Sequence, residues 1–267
     1  MKVVVIGSGS KGNSTYIETK NTKVLIDTGL SMLQVKGRLK NQGIDFNKLD
    51  AVFITHEHTD HIKELISILS KTSATLYIEE NTYLEANKRL RGNLVNFSKV
   101  FIKADTKYNI NDLSVVPMKL SHDTVNCFGY LMKELGTAKN NSFATITDTG
   151  YIDPKYYKIL SYINTIVIES NHDPEMLLNS GRPWMLINRI LSNKGHMSNE
   201  ECIKHLKNFI SENNKNIILA HISEECNDYD LAFNLVNQAF NNKPSFKLSV
   251  AYQYVEHPMV LIGEEDD

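Results

Sequence analysis

The segment Thr55-His56-Glu57-His58-Thr59-Asp60-His61 constrains this chain more than any other part of its sequence. Three histidines and one aspartate lie within six positions, directly after the apolar run 51–54, which predicts a buried strand. Imidazole nitrogens and carboxylate oxygens at this density are typical of a metal site. The segment is not a zinc-binding HExxH helix, because the residue four positions after His56 is an aspartate. The fold must therefore hold this segment at a strand end.

One segment of this kind has the geometry to serve two metal ions. His56 and His58 project to the same side of an extended backbone, whereas Asp60 and His61 turn away at the start of the following helix. Two ions need more ligands than these four. The further candidates, each placed where a short apolar run opens into a loop, are His122, Asp148 and His221.

The rest of the chain shows an α/β pattern. Short apolar runs that predict strands alternate with helical stretches; these runs are 3–6, 51–54, 75–78, 113–116, 143–146, 165–168 and 217–219. A helix is predicted from Ser31 to Gln42, with a capping box at its start and Gly43 as its stop. No linker or repeat divides the chain, so we expect a single domain over residues 1–267, with a frayed acidic tail at 264–267.

A glycine pattern near the N-terminus matches the letters of a dinucleotide-binding fingerprint. Gly7, Gly9 and Gly12 follow the first predicted strand with the spacing GxGxxG. That fingerprint requires a helix after the third glycine, but residues 14–27 carry β-branched residues and a tight turn. We therefore predict a glycine turn that leads into a β-hairpin, with a polar loop at 8–14 that is able to touch substrate.

Composition narrows the functional classes. The net charge of -2 argues against broad adhesion to nucleic acid, so any such function must depend on local basic patches. Three cysteines, with no paired spacing, indicate buried reduced thiols and a cytoplasmic location. No stretch reaches the roughly 20 apolar residues of a membrane span, and none reads as a signal peptide, so no membrane partner is expected.

The ordered set of candidate ligands resembles the metallo-β-lactamase superfamily across essentially the whole chain. The resemblance implies an α/β fold, a four-layer αββα sandwich of two similar halves with two divalent metal ions, Zn, Mn or Fe, at one edge. It implies one ion held by His56, His58 and His122, a second held by Asp60, His61 and His221, and Asp148 as the bridge. Asp27 would orient a ligand.

Three further motifs resemble the phosphodiesterase branch of this superfamily, including tRNase Z; they occupy residues 168–173, 195–200 and 219–223. Residues 182–184 and 189–196 are more similar to the bacterial WalJ/YycJ-type exonucleases. This similarity implies a dinuclear metal-dependent phosphodiesterase that digests DNA from 5′ to 3′, with a metal-bridging hydroxide as the nucleophile. The gap between Asp148 and His196 is too short for an inserted β-CASP domain.

The expected catalytic residues are Asp60, His196 and Glu169. His196 is the candidate that protonates the leaving oxygen, with Glu169 holding its tautomer. Arg182 and Lys194 are the expected substrate-binding residues, because basic groups beside an aromatic side chain suit a nucleic-acid backbone. Trp184, between them, fits base stacking and a core anchor equally well.

The sequence is also compatible with other functions. The main alternative is a small-molecule hydrolase on the same scaffold, acting on a cyclic nucleotide, thioester or lactone; the net acidity favours it and the 182–194 segment opposes it. A flavodiiron-like redox protein would carry a glutamate in place of His58, and a binding-only protein would have lost ligands. Ser198 and Glu201 predict a capping box, and His205 and His257 are expected at the surface.

Overall fold

The structure, a computed structural model, describes residues 1–46, 48–241 and 245–263. The strands are β1 Lys2–Gly7, β2 Ser14–Glu18, β3 Lys23–Ile26, β4 Ala51–Phe53, β5 Thr75–Ile78, β6 Lys99–Phe101, β7 Tyr108–Ile110, β8 Leu113–Leu120, β9 Cys127–Glu134, β10 Ser142–Ile146, β11 Thr165–Glu169, β12 Asn216–Ala220, β13 Lys247–Val250 and β14 Val260–Leu261. The α-helices are α1 Met32–Asn41, α2 Thr59–Ile62, α3 Leu65–Thr72, α4 Glu80–Arg89, α5 Tyr157–Leu160, α6 Pro174–Leu178, α7 Trp184–Leu191, α8 Asn199–Phe209 and α9 Tyr229–Ala239.

The chain divides into two compact units. Unit 1 comprises Met1–Lys119, Thr124–Asn141 and the segment from Tyr252 onward, whereas unit 2 comprises Leu120–Asp123 and Ser142–Ala251. The expectation of one domain over residues 1–267 stays a prediction, and the tail at 264–267 lies outside the described residues.

Unit 1 contains a mixed sheet with the order β14-β1-β2-β3-β4-β5-β6. β1, β2 and β3 are antiparallel neighbours, and β3 to β6 run parallel. The parallel strands are short and apolar, as expected for strands covered on both faces, and Val52 and Leu76 are fully buried. This arrangement brings the ends of β3 and β4 side by side, which positions the residues that follow them.

The N-terminal glycine pattern leads into a β-hairpin, as predicted. β2 begins two residues after Gly12 and pairs antiparallel with β1. The β2–β3 turn closes where the Thr19 backbone N–H donates to the Thr22 carbonyl oxygen at 2.9 Å. The glycine pattern is therefore not a dinucleotide-binding motif, because it is followed by a strand and that motif requires a helix.

Helix α1 begins and ends as its sequence predicts. Ser31 and Gln34 form a reciprocal capping box, and Val35 and Leu39 turn inward to the apolar core of unit 1. Gly43 adopts a φ of 71°, a left-handed conformation that glycine takes without steric cost.

Unit 2 is built on four parallel strands in the order β10-β11-β12-β13. The strand interiors are fully buried; Ile166 and Ile218 have no exposed surface. The carboxyl ends of parallel strands meet at one edge of a sheet, and loops leaving that edge are where α/β proteins place their chemistry. Asp148, Glu169 and His221 lie at or just beyond the ends of β10, β11 and β12, so this edge collects three of the predicted site residues.

The three cysteines, Cys127, Cys202 and Cys226, are free and buried, as predicted. The cytoplasmic location inferred from them stays a prediction. Among the described residues, no helix combines the length and apolar character needed to cross a bilayer.

Candidate active site

In unit 1 the predicted ligand segment leaves β4 and forms the first turn of α2. His58 is the residue at which the helix begins, with extended φ and ψ of -65° and 149°, and Asp60 and His61 lie in its first turn. The imidazole rings cluster: the centroids of His56 and His58 are 4.6 Å apart, and those of His56 and His61 are 4.1 Å apart. The structure thus brings the rings of His56, His58 and His61 together, and the His61 ring lies at least as close to His56 as the His58 ring does.

Asp27 orients two of these histidines from the end of β3. Nδ1 of His61 donates to Oδ2 of Asp27 at 2.8 Å, and the Thr55 hydroxyl donates to the same oxygen at 2.9 Å. That hydroxyl lies 3.0 Å from Nδ1 of His56 and accepts from it when Nδ1 is protonated. With Nδ1 engaged in this way, Nε2 is the ring nitrogen of each histidine that is oriented for a metal.

Asn13 belongs to this group, although sequence reasoning assigned it no function. Its side-chain amide donates to Oδ2 of Asp60 at 3.1 Å and lies 3.0 Å from Nε2 of His61. Its backbone N–H donates to the Asp60 carbonyl at 2.9 Å. The contact with Asp60 joins residues 47 positions apart, so the sequence does not show it. The only signal was the position of Asn13 in the polar loop after Gly12.

Unit 2 holds a second donor group at the carboxyl edge of its sheet. Asp148, Glu169, His196 and His221 each offer one ligand atom, and these atoms all lie within 4.8 Å of one another. His122 joins them through the loop before His196, since its Nδ1 lies 3.1 Å from the Gly195 carbonyl oxygen. The ring centroids of His122 and His196 are 5.0 Å apart.

Glu169 is the centre of this group. Its Oε1 accepts from Nδ1 of His196 at 2.8 Å and from Nδ1 of His221 at 2.7 Å. Its Oε2 accepts the backbone N–H groups of Thr149 at 2.8 Å and Met197 at 3.2 Å. Burial alone would raise the pKa of Glu169, but the two histidines that face its carboxylate lower the pKa to about 2, so the group is ionised at neutral pH.

Three residues at strand ends adopt left-handed backbone conformations. Asp27, Asp148 and His221 have φ values of 61°, 58° and 54°. A non-glycine residue in this region carries a conformational cost of roughly 1 kcal/mol or more, and such residues concentrate where function requires a particular side-chain direction. Asp27 and His221 directly follow β3 and β12, and Asp148 lies two residues after the end of β10. In each case the positive φ turns the side chain away from the alternating directions of the strand residues.

The donor chemistry fits divalent metal ions. In both units an Nε2 atom lies beside a carboxylate oxygen: 3.3 Å for His61 and Asp60, and 3.5 Å for His221 and Asp148. Two ligands of one tetrahedral ion, with bond lengths near 2.1 Å, are separated by about 3.4 Å. The spacing of donors within each unit is therefore that of neighbouring ligands of one ion.

The two predicted substrate-binding residues lie on either side of α7. A guanidinium nitrogen of Arg182 donates to the Glu225 carboxylate at 2.7 Å, whereas Lys194 is exposed in the loop before His196. Arg189, on α7, pairs with Asp123, the residue after His122. Arg189 therefore contacts the sequence neighbour of His122, and Lys194 lies two residues before His196. Arg182 instead pairs with Glu225, which is not one of the predicted site residues.

Several local predictions need correction. Trp184 is 64% exposed, so the core-anchor interpretation is wrong. Ser198 does cap α8, but Glu201 pairs with Lys204 rather than closing the capping box. His205 and His257 are buried: Nδ1 of His205 lies 2.8 Å from the Tyr157 hydroxyl, and Nδ1 of His257 lies 2.7 Å from the Pro258 carbonyl oxygen. Histidine patterns alone do not distinguish a surface from a satisfied interior site.

Comparison with known proteins agrees with this geometry. The family model described as Beta-lactamase superfamily domain matches residues 22–222. The chain is 34% identical over 239 residues to Exodeoxyribonuclease YycJ of Bacillus anthracis, covering 90% of this chain and 89% of that protein. It is also 34% identical over 240 residues to Exodeoxyribonuclease WalJ of Streptococcus pneumoniae, covering 89% and 87%.

Among solved structures, the metallo-β-lactamase fold protein YhfI of Bacillus subtilis superimposes with a TM-score of 0.68, at 18% identity, over 96% of this chain and 98% of that one. The α/β fold predicted from the sequence resemblance, with mixed sheets flanked by helices, is confirmed by this match. The chain belongs to the β-lactamase superfamily and has the metallo-β-lactamase fold.

Proposed function

We propose that this protein is a dinuclear metal-dependent phosphodiesterase that degrades DNA as a 5′ to 3′ exonuclease. The observation that carries the proposal is Glu169, whose Oε1 accepts from both His196 and His221. That contact links a histidine able to transfer a proton to a histidine of the proposed ligand set. The relatives named as exodeoxyribonucleases, at 34% identity over about nine-tenths of the chain, support DNA as the substrate class.

The proposed ligands are the seven residues that the family resemblance implies. His56, His58 and His122 would hold one ion, Asp60, His61 and His221 a second, with Asp148 shared. When bound, divalent ions lower the pKa of water towards neutrality and offset charge that develops on a phosphate. Mixed histidine and carboxylate donors accept Zn, Mn or Fe.

His196 is the proposed proton donor to the leaving oxygen. Its side chain is 22% exposed, so one edge of the ring reaches solvent while Nδ1 is held by Glu169. The fully buried carboxylate fixes the orientation of the ring and the tautomer with a proton on Nδ1. Glu169 thus acts through His196 and His221 and does not itself need to contact the substrate.

Asp60 is the proposed catalytic residue of unit 1. Its carboxylate receives the Asn13 amide at 3.1 Å and faces Nε2 of His61 at 3.3 Å, so its orientation is fixed before substrate arrives. A carboxylate held in this way would contribute to metal binding and would accept a hydrogen bond from the attacking water. Arg182 and Lys194 are the proposed contacts to the phosphate backbone.

The experiment that tests this function measures Mn²⁺-dependent release of label from duplex DNA labelled at its 5′ or its 3′ ends. The wild type should release 5′-labelled mononucleotide first, and Asp148→Ala should abolish release. Asp230→Ala, an exposed carboxylate in the first turn of α9, is the matched control and should retain activity. Metal content of each purified protein is measured in parallel.

A folded, metal-loaded wild type that releases nothing from DNA would refute the exonuclease proposal. In that case hydrolysis of cyclic nucleotides, thioesters or lactones is the next assay, because the net charge of -2 suits a small substrate at least as well as a polyanion.

A further inference from the structure

Helix α7 carries an exposed apolar surface that packing of the helix does not require. We define the α7 surface as the side chains of Trp184, Met185 and Leu191, which are 64%, 85% and 43% exposed. On the opposite face of the helix, Ile187 and Ile190 are buried in a small apolar cluster. The cluster also contains Leu177 and Cys226, and the partly buried Leu186 packs against it. Trp184 and Leu191 lie seven residues apart on one stripe of the helix. Exposed apolar surface of this kind marks an interaction site.

The C-terminal end of α7 is fastened to the proposed proton donor. The His196 backbone N–H donates to the Ile190 carbonyl oxygen at 3.0 Å, and a Cβ on Gly195 would lie only 2.1 Å from that oxygen. At a rise of about 1.5 Å per residue, Trp184 lies roughly 9 Å along the helix from Ile190. Stacked bases of one strand are about 3.4 Å apart, so that distance corresponds to two or three nucleotides.

The segment that carries this surface is basic. Residues 182–196 contain Arg182, Arg189 and Lys194 and no acidic residue, in a chain whose net charge is -2. Arg182 and Arg189 are partly exposed although each is paired with a carboxylate, and Lys194 is exposed. An aromatic side chain flanked by cations matches a nucleic-acid strand, which presents flat bases beside a charged backbone. An apolar protein partner would gain nothing from these charges.

We propose that the α7 surface is a stacking platform for the terminal bases of the DNA strand that enters the site, with Trp184 stacked on a base and Met185 beside it. This inference rests on the proposed function, which it deepens. Base stacking on an aromatic ring tolerates every base, because each base has a π-face, and an exonuclease must accept every sequence. The exposed ring therefore binds the end of the strand without reading it.

The first measurement uses Trp184 as its own reporter, since it is the single tryptophan of the chain. The metal-loaded wild type is titrated with a 5′-phosphorylated single-stranded oligonucleotide whose first linkages are phosphorothioates. We expect quenching of tryptophan fluorescence, and much less quenching when the first three nucleotides are abasic.

The second measurement compares KM values for a natural and an abasic 5′ end. Trp184→Ala should raise KM for the natural end about tenfold and leave kcat less affected, and Trp184→Phe should recover most of the loss. For the wild type, an abasic 5′ end should raise KM by a similar factor. For Trp184→Ala, KM should be nearly the same for the abasic and the natural end. Leu33→Ala, which removes an apolar side chain that is 83% exposed on α1, is the matched control and should behave as the wild type.

The outcomes separate this inference from the proposed function. Unchanged KM and no quenching, in a wild type that degrades DNA, would overturn the stacking platform and leave the exonuclease proposal standing. A change of molecular mass in Trp184→Ala by light scattering would also overturn it, because the surface would then be an interface between proteins. A wild type that hydrolyses bis(p-nitrophenyl) phosphate but no DNA would refute the exonuclease proposal itself, and the platform with it.

Discussion

Replacing Glu169 with glutamine should destabilise the protein by about 3 kcal/mol at pH 7. Two backbone N–H groups, from Thr149 and Met197, donate to Oε2 at 2.8 and 3.2 Å. If the side-chain oxygen of a glutamine accepted the hydrogen bonds from the two histidines, its NH₂ group would face these two N–H donors and could not accept from them. A buried donor left without an acceptor costs about 1–3 kcal/mol, so two cost about 2–6. The pKa of Glu169 gives a second value for this loss of stability: a decrease of the pKa from 4.5 to about 2 corresponds to about 3 kcal/mol of folding free energy.

The stability difference between the wild type and Glu169→Gln depends on pH, and its direction follows from the lowered pKa of Glu169. The folded-state pKa is depressed, so the stabilising effect is fully present above about pH 4.5 and is lost as pH falls towards 2. Urea unfolding followed by circular dichroism, in chelator so that bound metal adds nothing, should therefore show a deficit of Glu169→Gln that is constant from pH 7 to 5 and shrinks below pH 4.5.

A matched variant isolates the buried carboxylate. Glu201→Gln removes a half-exposed charge that pairs with Lys204 on α8, and its effect should stay below about 1 kcal/mol. If Glu169→Gln unfolds at the same urea concentration as the wild type at pH 7, or if its deficit does not change with pH, the assignment of Glu169 as an ionised acceptor of four hydrogen bonds is wrong. Activity should fall about 10²-fold or more, because His196 loses its charged partner.

Three further changes test other parts of the structure. Asp27→Asn should weaken Zn²⁺ affinity about 10–100-fold in a chelator competition, because His61 loses its carboxylate; unchanged affinity would contradict that orientation. Gly195→Ala should lower the unfolding midpoint, since its Cβ meets the Ile190 oxygen at 2.1 Å, whereas Gly37→Ala, in open space within α1, should stabilise by about 0.5–1 kcal/mol. Ellman's reagent should titrate the three thiols only after unfolding, because they are buried and burial raises the pKa of Cys202 to about 12; rapid native labelling would argue otherwise.

Local patterns predicted the elements that frame the site. The capping box of Ser31 and Gln34 marked the start of α1, and β-branched alternation after Gly12 marked a hairpin rather than a crossover helix. The placement of the histidine-rich segment 55–61 was also predictable, because it follows an apolar strand and leads into the start of a helix. These features depend on neighbours within a few positions, which sequence shows directly.

Other features depend on residues that are distant in sequence. Asn13 meets Asp60 across 47 positions, and Glu169 meets His221 across 52. Family resemblance suggested a partnership between Glu169 and His196, but not that one carboxylate oxygen would serve both histidines. The left-handed backbone of Asp148, with a φ of 58°, is likewise seen only in the folded structure.

The sequence by itself determined the cluster of histidine and aspartate donors, the strand and helix that present it, and the superfamily, because each depends on residue type and short spacing. Only the tertiary structure decided which polar groups hold those donor side chains in place, that His205 is buried, and that Trp184 faces solvent. The physical reason is that burial and long-range hydrogen bonds arise when separate strands and loops pack together. The exposure of a single side chain is a property of that packing, not of its neighbours along the chain.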